Sequence, residues 1–200
     1  MSKDWVGNAK SAFVQNGASN HSDTERQNED YYATEPIVAD FLMQIESLNH
    51  NIWECACGEG HLAKRFVDGG FNVKATDLID RGYGVGGVDF LKCAERFDGD
   101  IVTNPPYKYA REFVEHALEL VEDGNKVCMF LKLTFLESKA RRELFEKNPP
   151  RTVWVSSARL QCAKNGDFET YGKGVGTAVA YCWYIWEKGY KGDTVIKWFN

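Results

Sequence analysis

Asp100-Ile101-Val102-Thr103 runs directly into Asn104-Pro105-Pro106-Tyr107. The first four residues open with an acid and continue through β-branched side chains, which predicts a short buried strand. Two prolines then stop it, because neither can donate to a ladder. Pro105 also biases Asn104 away from helical dihedrals. The product is a stiff, non-helical tip that holds an amide and a phenol outward at the carboxyl end of a strand, where open α/β sheets place their ligands. Such a tip suits a planar amino group. The Asn104 side-chain oxygen and the Pro105 carbonyl can accept its two N–H bonds while Tyr107 stacks on the attached ring. The plainer alternative is an ordinary proline-stopped strand end.

Upstream, Asn51-Ile52-Trp53-Glu54-Cys55-Ala56-Cys57-Gly58-Glu59-Gly60-His61 reads as a strand entering a Gly-rich turn, with Leu62 to Val67 opening a helix. Gly58 and Gly60 allow a tight turn and close backbone approach to a ligand. The helix N-terminus favours a carboxylate. The turn lacks the third Gly of the dinucleotide fingerprint and the Lys-Ser/Thr pair of a P-loop. Phe71 to Thr76 is a second strand ending at Asp77, which lies 19 residues beyond Gly58. An acid at about that distance grips a ribose diol in such folds. Val85 to Leu91 reads as a further short strand, with Asp89 and Phe90 placed to hold an adenine amino group and ring; the alternative for Asp89 is a helix cap.

The 200-residue chain suits one domain, and 44% apolar with 26% charged content is that of a globular protein. No run is long and apolar enough to span a bilayer, and Met1 to Trp5 lacks a signal-like apolar stretch, so a cytoplasmic location is expected. The six cysteines are scattered and predicted to be reduced, partly buried thiols. Cys55-Ala56-Cys57 lacks zinc spacing, no metal site is expected, and no Pro-Cys pair of the kind used for cytosine-C5 methylation is present. A net charge of −5 argues against indiscriminate coating of nucleic acid. The charge is uneven: residues 1–100 hold 17 acidic and 9 basic side chains, residues 101–200 hold 12 and 15, and residues 139–173 hold 4 and 8. That last region is compatible with a phosphate-bearing substrate or with a merely solvated surface.

Glu54-Cys-Ala-Cys-Gly-Glu-Gly60 followed by Asn104-Pro-Pro-Tyr107 resembles the S-adenosylmethionine-dependent amino methyltransferases, and most of all the small phage and prophage DNA adenine-N6 methyltransferases. The resemblance covers residues 30–135 well and the remainder more loosely. It implies an α/β, Rossmann-like class I methyltransferase fold: a mostly parallel seven-stranded sheet with an antiparallel last strand and helices on both faces. S-adenosylmethionine is the implied cofactor. Glu54, Cys55, Ala56, Gly58 and Gly60 would form its loop, with Glu54 where the family often has Asp. Asp77, with Leu78 beside it, would hold the ribose end, and Asp89 and Phe90 the adenine. Asn104 would touch both cofactor and target, and Asn104, Pro105, Pro106 and Tyr107 would be catalytic. Tyr32, Thr34 and Pro36 look like the cofactor motif that precedes the loop in this class.

The implied function is methylation of adenine N6 in DNA, in the cytoplasm of a phage-infected or prophage-bearing bacterium. About 45 residues separate Gly60 from Asn104, too few for an inserted target-recognition domain. Sequence specificity is therefore open to a separate partner, and the oligomeric state is not set by the sequence.

Residues 1–28 are polar and read as a flexible arm, leaving 29–200 as the catalytic domain. Thr34 can cap a helix with Pro36 in its first turn. Beyond the tip, Tyr109 to Val121 has a helical period, Lys126 to Leu133 is a buried strand, and a basic helix is expected from Ser138 to Phe145. Arg151 to Val155 and Thr177 to Trp186 are strands expected to close the sheet as an antiparallel pair. Residues 161–176 between them form a Gly-rich loop, and Lys173 is expected to face the target base or its backbone. RNA adenine or protein glutamine-amide methylation are the alternatives that share this tip. A catalytically inactive binding protein and a nicotinamide oxidoreductase stand further off.

Overall fold

The computed structural model describes residues 32–158, 160, 162–164 and 179–200. The proposed arm at residues 1–28 and Lys173 lie outside them. The elements in chain order are β1 (Tyr32–Thr34), α1 (Ile37–Ile45), β2 (Asn51–Glu54), α2 (His61–Asp68), β3 (Asn72–Ala75), β4 (Asp100–Thr103), α3 (Ala110–Leu120), β5 (Lys126–Lys132), α4 (Arg142–Lys147), β6 (Thr152–Ser156), β7 (Cys162–Lys164), β8 (Tyr181–Glu187) and β9 (Val195–Phe199).

Seven strands form one sheet in the order β3-β2-β4-β5-β8-β6-β9. The first four are mutually parallel, β8 runs antiparallel to both β5 and β6, and β9 is parallel to β6. The strand period of two divides the core. Ile101, Val127, Met129, Tyr184 and Trp186 point to the face covered by α3, with Phe113 and Val114. Val102, Cys128, Phe130, Trp183 and Ile185 point to the opposite face, covered by Val38 and Leu42 of α1 and Leu62 and Phe66 of α2. Both faces being covered explains why β4, β5 and β8 read as continuous apolar runs.

Asp100 opens β4 and is 1% exposed. Its carboxylate accepts from the backbone N–H of Asn49 (2.7 Å) and of Lys126 (2.6 Å), tying together the starts of three neighbouring strands. The Arg65 guanidinium on α2 makes a two-pronged contact to Asp40 on α1. Glu46, just past α1, accepts from Trp154 Nε1 at 2.9 Å and pairs with Arg151, which also reaches Glu187.

Four expectations are corrected. Val85 to Leu91 is not a strand: one parallel bridge joins Thr76 to Val85, and a 3-10 turn follows at Phe90–Lys92. Gly84 and Gly87 have positive φ and turn the chain away from the sheet. Thr34 is not a helix cap, for Pro36 itself occupies the N-cap of α1 with no side-chain cap bond. Part of the Gly-rich 161–176 loop is strand β7, paired antiparallel to β1 as a two-stranded ribbon with Thr34 opposite Cys162. Finally, β9 adds an edge strand beyond the antiparallel pair. The basic helix is a Ser138-capped 3-10 turn leading into α4. Among the described residues no helix is long and apolar enough to cross a membrane.

Candidate active site

The carboxyl ends of β2, β3, β4 and β5 converge on one edge of the sheet. Glu54 ends β2 and is 2% exposed. Its backbone carbonyl accepts from Thr76 N–H at 2.9 Å, and Thr76 in turn accepts from Cys57 N–H at 3.0 Å, so the turn after β2 is pinned to the end of β3. The Asp77 carboxylate accepts from Gly58 N–H at 2.8 Å and from Ile79 N–H at 2.9 Å. The sequence pair at 19-residue spacing is therefore a direct contact, and Asp77 shapes the turn as well as facing it.

Gly60, the N-cap of α2, has φ +78°. A Cβ there would lie 2.2 Å from the Tyr83 ring, so the glycine is required both by dihedral and by that ring. Lys64 Nζ lies 5.0 Å from the centroid of the same ring. Tyr83 thus roofs the turn. Sequence reasoning missed it; the signal was an aromatic flanked by Gly82 and Gly84.

The Glu54 carboxyl carries the electrostatic anomaly of the site. Burial pushes its pKa well above the usual carboxylate range, the Asp77 charge adds to that, and the Ala63 backbone N–H opposes it. Its Oε2 is buried without a hydrogen-bond partner among the described residues. Such an atom is costly unless a donor or cation arrives. The thiols beside it are poor nucleophiles: burial, then the Glu54 charge, pushes Cys57 up to about 12 and Cys55 well above its ordinary value. Cys55, Cys57, Cys93, Cys128 and Cys182 are free thiols, all but Cys93 buried.

Beyond Asp77, Leu78 and Ile79 are 61% and 43% exposed, an apolar platform next to the turn. Ala56 packs partly buried against the core. Asp89 caps the 3-10 turn through Leu91 N–H and pairs with Lys92 at 2.8 Å, and that hydrogen-bonded partner holds its carboxyl below the usual range. The Phe90 ring is 2% exposed and packed edge-on against Trp53 and 5.0 Å from Phe113. Its ring belongs to the core rather than to the turn.

At the end of β4, Pro105 is buried and Asn104 half-buried. Asn104 Nδ2 donates to the Thr34 hydroxyl at 2.8 Å across 70 residues of sequence. Tyr107 packs against the cores of both faces at the end of the sheet. Its ring centroid lies 6.4 Å from that of Tyr181, which stacks on Phe130, and Lys132 Nζ, at the end of β5, lies 4.8 Å from it. Of the remaining sequence-derived residues, Tyr32 is placed by its pairing with Lys164 in the ribbon, and Pro36 starts α1.

Four basic side chains of residues 139–173 are engaged within the chain. Arg142 pairs with Glu146, Lys147 with Glu143, and Arg151 with Glu46, while Arg141 donates to the carbonyls of Phe135, Thr134 and Glu137. Lys132 has no carboxylate within ion-pair distance among the described residues. Also among those residues, no three His, Cys, Asp or Glu side chains group as metal ligands.

No family model matches the chain, and no curated protein matches it in sequence. Solved structures do match in shape. A candidate class I S-adenosylmethionine-dependent methyltransferase from Listeria monocytogenes gives a TM-score of 0.58 at 14% identity, over 85% of this chain and 66% of that one, so the chain spans just under two thirds of it. A protein described as a predicted O-methyltransferase from Agrobacterium tumefaciens gives 0.54 at 10% identity, over 82% and 85% of the two chains. A candidate RNA methyltransferase from Pyrococcus horikoshii gives 0.51 at 12% identity, over 76% and 81%. The chain has the Rossmann-like fold of class I methyltransferases.

Proposed function

We propose that this chain uses S-adenosylmethionine to methylate the N6 amino group of adenine in DNA. The observation that carries the reading is Asn104 at the end of β4, its amide held by Thr34 and followed by the two prolines and the Tyr107 ring. The cofactor fits the neighbouring turn by its donor chemistry. It carries an ammonium, a carboxylate and a ribose diol. Glu54 Oε2 is a buried acceptor in want of a cation, the start of α2 favours the carboxylate, and Asp77 with the exposed Leu78 suits the nucleoside end. Bound there, it would supply a methyl group on cationic sulfur, whose C–S bond breaks as the C–N bond to the amine forms.

The protein's part is to bind, orient and desolvate. Because Nδ2 is turned to Thr34, Oδ1 is the end of the amide turned away from it, and with the Pro105 carbonyl it can accept both amine hydrogens. That draws the nitrogen toward tetrahedral geometry and frees its lone pair. Carbonyl dipoles meet the positive charge that develops on nitrogen. No strong base is required, since the proton is acidic once the nitrogen is alkylated and can leave to water. An adenine within a duplex must first leave the stack, which costs a few kcal/mol. Stacking on Tyr107 returns ~1–3 kcal/mol of that. Lys132 beside Tyr107, without a carboxylate partner among the described residues, supports an anionic polymer over a peptide amide.

The test is transfer of labelled methyl from S-adenosylmethionine to DNA, RNA and protein pools, followed by nucleoside and amino-acid analysis. N6-methyladenine in DNA is the expected product. Label confined to RNA or to glutamine would move the substrate, and no label in any pool would overturn the reading.

A further inference from the structure

Thr34 belongs to the stretch that sequence reasoning assigns to cofactor contact or to a helix cap, and in the structure its hydroxyl accepts from Asn104 rather than capping α1. The first turn of α1 is closed by backbone bonds, Val38 N–H to Glu35 and Ala39 N–H to Pro36, with no side-chain cap. The Thr34 side chain is 3% exposed, and its oxygen accepts from Asn104 Nδ2 at 2.8 Å. It is held from both sides. Its backbone pairs with Cys162 in the β1–β7 ribbon, and three residues on begins α1, whose Val38, Ala39 and Leu42 are fully buried against the sheet. A β-branched side chain on such an anchor has little rotamer freedom.

We propose that Thr34 is the positioning residue that holds the Asn104 amide in place for the reacting amine. This rests on the reading of Asn104 as the acceptor of the target's amino hydrogens. Such an acceptor works only while its oxygen is held where those hydrogens arrive. Pro105 restrains the Asn104 backbone but not rotation of the amide. The buried Thr34 hydroxyl restrains that rotation, because its bond to Nδ2 fixes the amide plane with Oδ1 on the far side. The ribbon thereby becomes part of the catalytic machinery without touching the substrate.

Thr34→Val keeps shape and removes the acceptor; Thr34→Ser keeps the acceptor. Turnover, cofactor affinity by calorimetry, and solvent exchange of the Asn104 side-chain NH2 by 15N–1H correlation are measured for each. Thr34→Val should lower kcat by ~10–100-fold with cofactor Kd changed less than ~3-fold, and Thr34→Ser should recover kcat to within ~3-fold. Exchange of the Asn104 NH2 should be slow in the wild type and in Thr34→Ser, and faster in Thr34→Val. Wild-type kcat in Thr34→Val, or a loss residing in cofactor Kd with kcat intact, overturns the proposal. If the wild type methylates no nucleic acid, the functional reading fails separately, and unchanged Asn104 exchange in Thr34→Val then overturns the positioning role on its own. Should Thr34→Val melt as an unfolded chain, Thr34→Ala carries the same measurements.

Discussion

Glu54 sits at the end of β2 with Oε2 buried and unbonded among the described residues, and burial raises its pKa well above the ordinary value. A cation bound against it favours the carboxylate, so cofactor binding should release a proton. The sign follows: affinity is weak while Glu54 is protonated, rises with pH through its raised pKa, and levels off above it. Calorimetry in two buffers of different ionisation heat should show that release in the wild type and none in Glu54→Gln; equal heats in both proteins would remove Glu54 from the cofactor site. At this scale the sequence was informative where chemistry is local. Gly58 and Asp77 were singled out by spacing alone, and the Asp77 carboxylate accepts from Gly58 N–H at 2.8 Å. The Thr34–Asn104 bond was not, because 70 residues separate its partners and each had a satisfactory local reading, as a cap and as a strand stop.

Among the elements, Asp100 shows how a strand start is specified. Its carboxylate collects backbone N–H groups from the segments leading into β2 and β5. Asp100→Ala would leave two partly buried donors without an acceptor and should cost ~1–3 kcal/mol, read as a lower denaturation midpoint with an unchanged slope. Asp100→Asn, which keeps one acceptor, should lose less. Strands β5 and β8 were legible because burial on both faces leaves a long apolar run, and β2 and β4 from a short apolar centre entering a Gly-rich turn or a proline stop. Strand β9 was missed: four of its five residues are exposed, and Lys197 interrupts the run. The ribbon was missed because three-residue strands carry no period to read. Val85 to Leu91 failed in the other direction, an apolar run whose glycines turn it off the sheet.

On the scale of the whole molecule, the proposed DNA substrate would meet a chain of net charge −5, so its contact has to be local. Arg65, Arg111, Arg142, Lys147 and Arg151 are engaged with carboxylates, while Lys132 beside Tyr107 meets none among the described residues. Lys132→Gln should weaken DNA binding and reduce the salt slope by about 1, whereas Arg142→Gln should leave both unchanged. Equal effects of the two would mean that DNA is held elsewhere. The central claim is that the Asn104 tip performs amino methylation, and single-turnover formation of N6-methyladenine by wild type and Asn104→Ala, with S-adenosylmethionine affinity measured on both, tests it most directly. The account predicts rapid product formation by the wild type, a loss of at least ~100-fold in Asn104→Ala, and matching cofactor affinities. Wild-type turnover in Asn104→Ala would contradict it.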